Sequence, residues 1–238
     1  MLKSLKWGLR DWLGVYRPSF EFLAKKSSWA HVAVTPESEI CIEGFLRSAN
    51  TFSVAAFVVT NPSHGHIARH THLPAQVVKA IELKVPVLLL IRSPRDAALS
   101  LKIREPQLSF SRIIKSYTSF YKNLRGYRDA VLVCQFEKVV KDFPSVMEEL
   151  NDFYGTIFNS GGSHEEIEPA AFDEVARMFE DYQSRMGQGL ENSSERIAKP
   201  NSKRREMKEG LVKELELEKY AALLKAAERE FEFFTENT

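Results

Sequence analysis

The chain has 238 residues, 44% of them hydrophobic, and 33 Lys and Arg stand against 32 Asp and Glu, for a formal charge of +1. Near-neutrality removes any global electrostatic reason to expect nucleic acid or an anionic membrane as partner, so a basic site has to be local. The length and apolar share predict one domain with a sizeable core: an N-terminal helical segment over 1–38, then the main domain over 39–238.

In chain order, Met1 to Lys26 carries aromatic residues but is broken by Lys6, Arg10 and Asp11, and does not read as a secretory signal. Nowhere does an uncharged apolar run approach the ~18 residues a spanning helix needs, which predicts a chain without a transmembrane segment. Glu39 to Leu46 (EICIEGFL) reads as a buried strand. It enters a short polar turn, Arg47-Ser48-Ala49-Asn50, and then a helix from Thr51 to about Val59. A strand is expected over His66 to His72, followed by a helix opened by Pro74 and ending near Leu83.

Pro86 to Ile91 (PVLLLI) is apolar throughout, as a parallel strand covered on both faces requires. Ser93-Pro94-Arg95-Asp96 supplies an N-cap, a proline at the first helical position and an acid three residues after the cap, so a helix starts there. Further elements are a helix over about Phe110 to Leu124, a strand over Ala130 to Gln135 and a helix over Pro144 to about Tyr154. Beyond the polar stretch Asn159–Gly162, helices from Glu168 onward are expected, joined by a loop from Gly187 to Lys203. The recurring strand-then-helix order predicts an α/β fold with a mainly parallel central sheet flanked by helices, core motifs in 39–154 and a helical C-terminal part over 163–238.

Ligands of open α/β sheets bind beyond the carboxyl ends of strands, where helix-start amides face an anion. Gly44 to Phe52 occupies such a place. Arg47 adds a permanent charge, Ser48, Asn50 and Thr51 add donors, and Ala49 is small enough to admit a phosphate. The segment is not a Walker A sequence, because Phe-Leu-Arg-Ser follows Gly44, which disfavours kinase and NTPase chemistry. After the apolar strand, Arg92 and Ser100 flank the capping residues, and capping gives no reason for either. A strand-end guanidinium and a hydroxyl two helical turns on can converge on one anion.

Glu43-Gly44-Phe45-Leu46-Arg47-Ser48-Ala49-Asn50-Thr51-Phe52 resembles the 5′-phosphosulfate loop of sulfotransferases, and Arg92-Ser93-Pro94-Arg95-Asp96-Ala97-Ala98-Leu99-Ser100 resembles that family's 3′-phosphate signature, Arg-x-Pro-x-Asp-x-x-x-Ser. The resemblance covers about Glu39 to Tyr154. It implies a P-loop-like fold and transfer of a sulfuryl group from 3′-phosphoadenosine 5′-phosphosulfate (PAPS), leaving 3′-phosphoadenosine 5′-phosphate (PAP). Under it, Arg47 contacts the transferring group, Ser48, Asn50 and Thr51 the phosphosulfate, Phe52 the adenine, and Arg92 and Ser100 the 3′-phosphate. Ala49 replaces the usual Gly and Asn50 a common Thr. Phe136-Glu137 resembles the family's Tyr-Glu segment without the phenol hydroxyl.

His70-Thr71-His72-Leu73-Pro74 resembles the family's Lys-Thr-His-Leu-Pro, which makes His72 the expected general base and puts His70 where a lysine is usual. An imidazole with an ordinary pKa near 6.5 suits that role. The family also closes its nucleotide site with a late basic segment, for which Arg204 and Arg205 are the candidates, although the usual Arg-Lys-Gly pattern is absent.

Two other readings stand beside this one. A catalytically inactive PAPS- or PAP-binding homologue keeps Arg47, Arg92 and Ser100. A metal protein uses the cluster His64, His66, His70 and His72, whose equal parity puts them on one face of an unbroken strand. The acceptor is expected to be a hydroxyl on a small molecule, glycan or lipid. Cys41 and Cys134, each inside an apolar strand, point to a reducing, cytoplasmic setting.

Overall fold

A computed structural model describes residues 20–22, 30–186 and 202–236. Four strands, β1 (Ser38–Gly44), β2 (His66–Arg69), β3 (Val87–Ile91) and β4 (Leu132–Gln135), form one sheet in the order β2-β1-β3-β4. Every pairing is parallel. The helices between and after them are α1 (Asn50–Thr60), α2 (Pro74–Glu82), α3 (Pro94–Arg104), α4 (Phe110–Lys122), α5 (Phe136–Val139), α6 (Phe143–Tyr154), α7 (His164–Met186), α8 (Ser202–Leu215) and α9 (Glu218–Thr235). This is the α/β sheet with flanking helices that the strand-then-helix order predicts.

Side-chain alternation in β1 and β3 divides the interior into two layers. Val87, Leu89 and Ile91 face one way, with Cys41, onto Ala80 of α2, Leu101 of α3, Ile113 and Tyr117 of α4 and Phe234 of α9. Leu88 and Leu90 face the other way, with Ile40 and Ile42, onto Val54 and Phe57 of α1, Met147 and Leu150 of α6 and Ala171 of α7. All five residues of β3 are fully buried, which explains its unbroken apolar run.

The carboxyl ends of β1 and β3 lie side by side in the register Gly44↔Leu90. A Cβ on Gly44 would sit 2.3 Å from the Leu90 carbonyl oxygen, so only glycine allows the strands to meet here. Two tyrosines one turn apart on α4 then brace the strand ends. The Tyr121 hydroxyl donates to the Leu90 carbonyl at 2.8 Å and accepts from the Phe45 amide at 3.3 Å, while the Tyr117 hydroxyl donates to the Arg92 carbonyl at 2.8 Å. Burial pushes both phenols up, so they remain protonated donors.

Three local expectations are corrected. The strand expected over His66–His72 ends at Arg69, because His70 and His72 take φ of 57° and 52°, which no strand accommodates. The histidines therefore do not share a strand face. The helix expected from Glu168 starts at His164 and carries Pro169 inside it, past the four N-terminal N–H groups that lack intrahelical partners, so the proline removes one helix hydrogen bond. Phe136–Val139, expected only as a family-like segment, forms a short helix directly after β4. Most of the segment 1–38 and the loop from Gly187 lie outside the described residues, but residues 30–38 pack onto the sheet edge: the Arg69 amide donates to the Val32 carbonyl at 2.9 Å. No helix among the described residues is long and apolar enough to cross a membrane.

Gly44→Ala is expected to lower unfolding stability by ~1–3 kcal/mol or more, the usual cost of overpacking a tight contact. Gly126→Ala, where an added Cβ meets nothing within 4 Å, is the control and should stay within about 0.5 kcal/mol. Urea denaturation of both variants at unchanged m-value checks this.

Candidate active site

The loop after β1 and the start of α3 converge at the carboxyl edge of the sheet. Arg47 Nε donates to Ser100 Oγ at 3.0 Å, and Arg92 Nη1 donates to the Arg47 carbonyl at 3.1 Å. Residues from two motifs more than 40 positions apart thus form one cluster. The Arg92 guanidinium lies 3.8 Å above the centroid of the Phe136 ring, so the phenylalanine that replaces the family-like tyrosine acts as a stacking platform. Burial draws the Arg92 pKa down, with Asp96 and Glu137 opposing that shift; a guanidinium remains charged throughout.

The loop backbone is strained where the sequence resembles a glycine-containing pattern. Arg47 and Ala49 have φ of 73° and 70°, the left-handed region in which a Cβ costs ~1–2 kcal/mol. Ala49 is also the N-cap of α1, and no side chain caps that helix. Ser48 and Asn50 are 0% and 4% exposed. Asn50 Nδ2 donates to the Phe45 carbonyl at 3.0 Å. Asn50 Oδ1 and Arg92 Nε are enclosed without a hydrogen-bond partner among the described residues, and Ser48 Oγ is enclosed against the Tyr121 hydroxyl. An enclosed donor left unpaired is costly, and Arg92 Nε, beside a second arginine and a helix start, suits an anion's oxygen.

Thr51 is half-buried on the first turn of α1. Phe52 is 5% exposed, and its ring packs at 5.6 Å against Phe172 of α7 and at 6.4 Å against His164. It belongs to the core layer under α7, which leaves little of its face for a base. Arg204 and Arg205 fall in the first turns of α8, and their side chains lie outside the described residues. Lys208, one turn further, pairs with Asp96 at 2.6 Å and ties α8 to the start of α3.

His72 stands at the opposite side of the β1 end. Its Nδ1 lies 2.9 Å from the Gly44 carbonyl oxygen and 3.6 Å from Glu43 Oε2. A carbonyl only accepts, so Nδ1 carries the proton and Nε2 of the neutral ring keeps its lone pair. The ring borders a small cleft formed by Phe45, Leu46, Leu73 and Phe120, with Ser116 and Ser119 supplying hydroxyls.

Glu43 was not singled out from the sequence, although a carboxylate inside an apolar strand is itself a signal. It is 0% exposed, and burial pushes its pKa up to about 7 against the donors that surround it. Those donors are the Thr71 amide at 2.7 Å, Thr71 Oγ1 at 3.0 Å, Gln76 Nε2 at 2.9 Å and the His72 amide at 3.1 Å.

The four clustered histidines disperse in three dimensions. His64 Nδ1 bonds the Asn61 carbonyl at 2.7 Å, and His66 spans Ser38 Oγ at 2.8 Å and the His31 carbonyl at 3.2 Å. His70 is half-buried, its Nε2 enclosed without a partner among the described residues, and burial lowers its pKa to about 3, helped by Arg69 and Arg104. It is a neutral residue at physiological pH. No group of three or more metal-type side chains among the described residues comes together to hold an ion.

No protein-family model matches the chain, and no curated protein matches it. Several solved structures resemble it, among them the following two. One is mouse sulfotransferase SULT7A1 complexed with PAP, at 15% identity over 83% of this chain and 90% of that one, with a TM-score of 0.47. The other is retinol dehydratase in complex with androsterone and the inactive cofactor PAP, at 13% identity over 82% and 85%, with a TM-score of 0.43. Likenesses at this level carry nothing about chemistry, which rests on the residues of the site.

Two outcomes test the site's energetics. Ala49→Gly should stabilise the protein by about 0.5–1 kcal/mol, relief of the left-handed strain being partly offset by the entropy glycine loses on folding. The His70 pKa lies below its ordinary value in the folded state, so the unfolded chain binds the extra proton as pH falls from 6.5 toward 3, and stability present above that window is lost within it. His70→Asn, which tolerates positive φ, should therefore lose less stability than wild type between pH 7 and 5, by up to about 2 kcal/mol. Glu43 contributes with opposite sign, being raised, but equally to both proteins, and cancels in the difference of their denaturation midpoints.

Proposed function

We propose that the protein is a sulfotransferase that moves a sulfuryl group from PAPS to an acceptor hydroxyl, with His72 as general base. The observation that carries this reading is the meeting of Arg47, Arg92 and Ser100 beside the start of α1, with the donor Arg92 Nε enclosed and unpaired among the described residues. Two cations, two hydroxyls and an uncapped helix start at one strand edge suit a ligand with more than one anionic group.

Arg47, Ser48, Asn50, Thr51 and the amides at Ala49 and beyond would hold the phosphosulfate, and Arg92 and Ser100 the 3′-phosphate. Phe136 beneath Arg92 keeps that guanidinium in place. Arg204 and Arg205 are proposed to reach the nucleotide from α8, which the Lys208–Asp96 pair anchors beside α3. Phe52 supports the loop from the core, with at most an edge toward adenine.

In the transfer, the acceptor oxygen bonds to sulfur as the bond from sulfur to the 5′-phosphate oxygen breaks. The acceptor proton passes to His72 Nε2, and the electron pair of the broken bond leaves on PAP, where Arg47 offsets the charge. The cleft beside His72 is mostly apolar, which favours a small hydroxyl-bearing acceptor over an extended glycan. The two free, buried cysteines fit a cytoplasmic protein.

Neutral His70 in the position of the family's lysine favours one other outcome, a homologue that binds PAP without turnover. A thermal-shift titration with PAP separates the possibilities. Wild type should show a saturable rise, and Arg92→Ala should weaken binding tenfold or more, since a charged hydrogen bond is worth ~1.5–3 kcal/mol. His72→Ala should retain the PAP shift and lose transfer to a panel of phenols and alcohols. Absence of any shift at millimolar PAP would overturn the nucleotide site; a shift without transfer by wild type would leave a binding protein.

A further inference from the structure

We propose that Glu43 is a positioning residue, a buried carboxylate that clamps the 69–74 turn and fixes the ring of His72 beside the cleft with its proton on Nδ1. This rests on the reading of His72 as the base, and it concerns a residue outside both anion-binding motifs.

Between Arg69 and Pro74 the chain leaves the sheet edge with two non-glycine residues, His70 and His72, at positive φ. Such a backbone persists only when its surroundings over-determine it. One side chain from β1 meets this turn at several points. Glu43 accepts from the Thr71 amide and hydroxyl, from the His72 amide and from the Gln76 side chain at the start of α2, so it gathers the donors that the turn would otherwise leave buried. Gln76 extends the same link to the segment before β1, since the Val34 amide donates to its Oε1 at 3.1 Å.

The second part of the clamp acts on the ring. His72 Nδ1 has two acceptors on β1, the Gly44 carbonyl at 2.9 Å and Glu43 Oε2 at 3.6 Å. Both favour a proton on Nδ1, and the carboxylate also favours the imidazolium that forms once Nε2 takes a proton. The charged or titratable groups at Glu43 are His72 from the turn and Cys41 from its own strand, whose thiol burial and Glu43 hold well above the usual range, so it stays neutral. Thr71 and Gln76 are neutral donors. An isosteric amide at position 43 should loosen the ring, because its NH2 group cannot accept from Thr71, His72 and Gln76 together and places a donor beside His72 Nδ1.

The test is histidine-ring ¹⁵N NMR on the full chain, with Glu43→Gln beside wild type. In wild type, His72 should be present in the Nδ1–H tautomer; a predominant Nε2–H tautomer in wild type overturns the proposal even if the variant does not fold. In folded Glu43→Gln the Nδ1–H preference should fall, and kcat for sulfuryl transfer should drop by about 10²-fold, the scale of a general base's contribution, while the KM for PAPS and the PAP thermal shift hold. An unchanged tautomer in folded Glu43→Gln overturns it. The tautomer is read without any acceptor, so the proposed tautomers in a protein that lacks transfer would sink the sulfotransferase reading and leave the clamp standing.

Discussion

The close approach of Gly44 to the Leu90 carbonyl sets the geometry on which the site depends. Parallel strands deliver their carboxyl ends to the same edge, but only a residue without Cβ lets β1 and β3 finish in the register that puts Arg47 beside Arg92. Tyr121 and Tyr117 then tie α4 to those two ends through the Leu90 and Arg92 carbonyls. The cluster of Arg47, Arg92 and Ser100 is therefore held by backbone contacts, buried phenols and the Arg92 bond to the Arg47 carbonyl.

Strain collects at the same edge. Arg47 and Ala49 on one side, and His70 and His72 on the other, all take left-handed backbone that glycine would adopt freely. Two of these side chains make defined contacts there: Arg47 reaches Ser100, and His72 borders the cleft. Each strained segment has a buried polar partner holding it, Asn50 Nδ2 on the Phe45 carbonyl for the first and Glu43 for the second. Strain of this kind at a strand-end crevice, matched by buried satisfied groups, is the usual physical signature of a site whose geometry matters more than its stability.

Burial divides the neighbouring histidines into different chemical classes. His70 is held neutral by burial, with the charges of Arg69 and Arg104 adding to the effect, while His72, two residues on, has a carbonyl and a carboxylate near one ring nitrogen. Position 70 therefore brings no positive charge to the site, and the cationic share falls to Arg47 and Arg92. The same dispersal removes the apparent histidine cluster, since His64 and His66 bond the chain around β1 and α1 and not one another.

The sequence by itself determined the strand-helix order, the apolar β3, the capped start of α3 and the two segments that carry Arg47, Arg92 and Ser100, because local patterns of burial, capping and turn residues act over a few positions. It could not reveal the end of β2 at Arg69, since whether a histidine run stays extended depends on what a carboxylate from another strand offers its amides. Nor could it place Phe52, whose ring is claimed by Phe172 of a helix more than 100 residues away, or give Glu43 a role. Those were decided by tertiary structure, because a buried charge and a strained turn are stable only together, and the residues that satisfy them are neighbours in space and not in the chain.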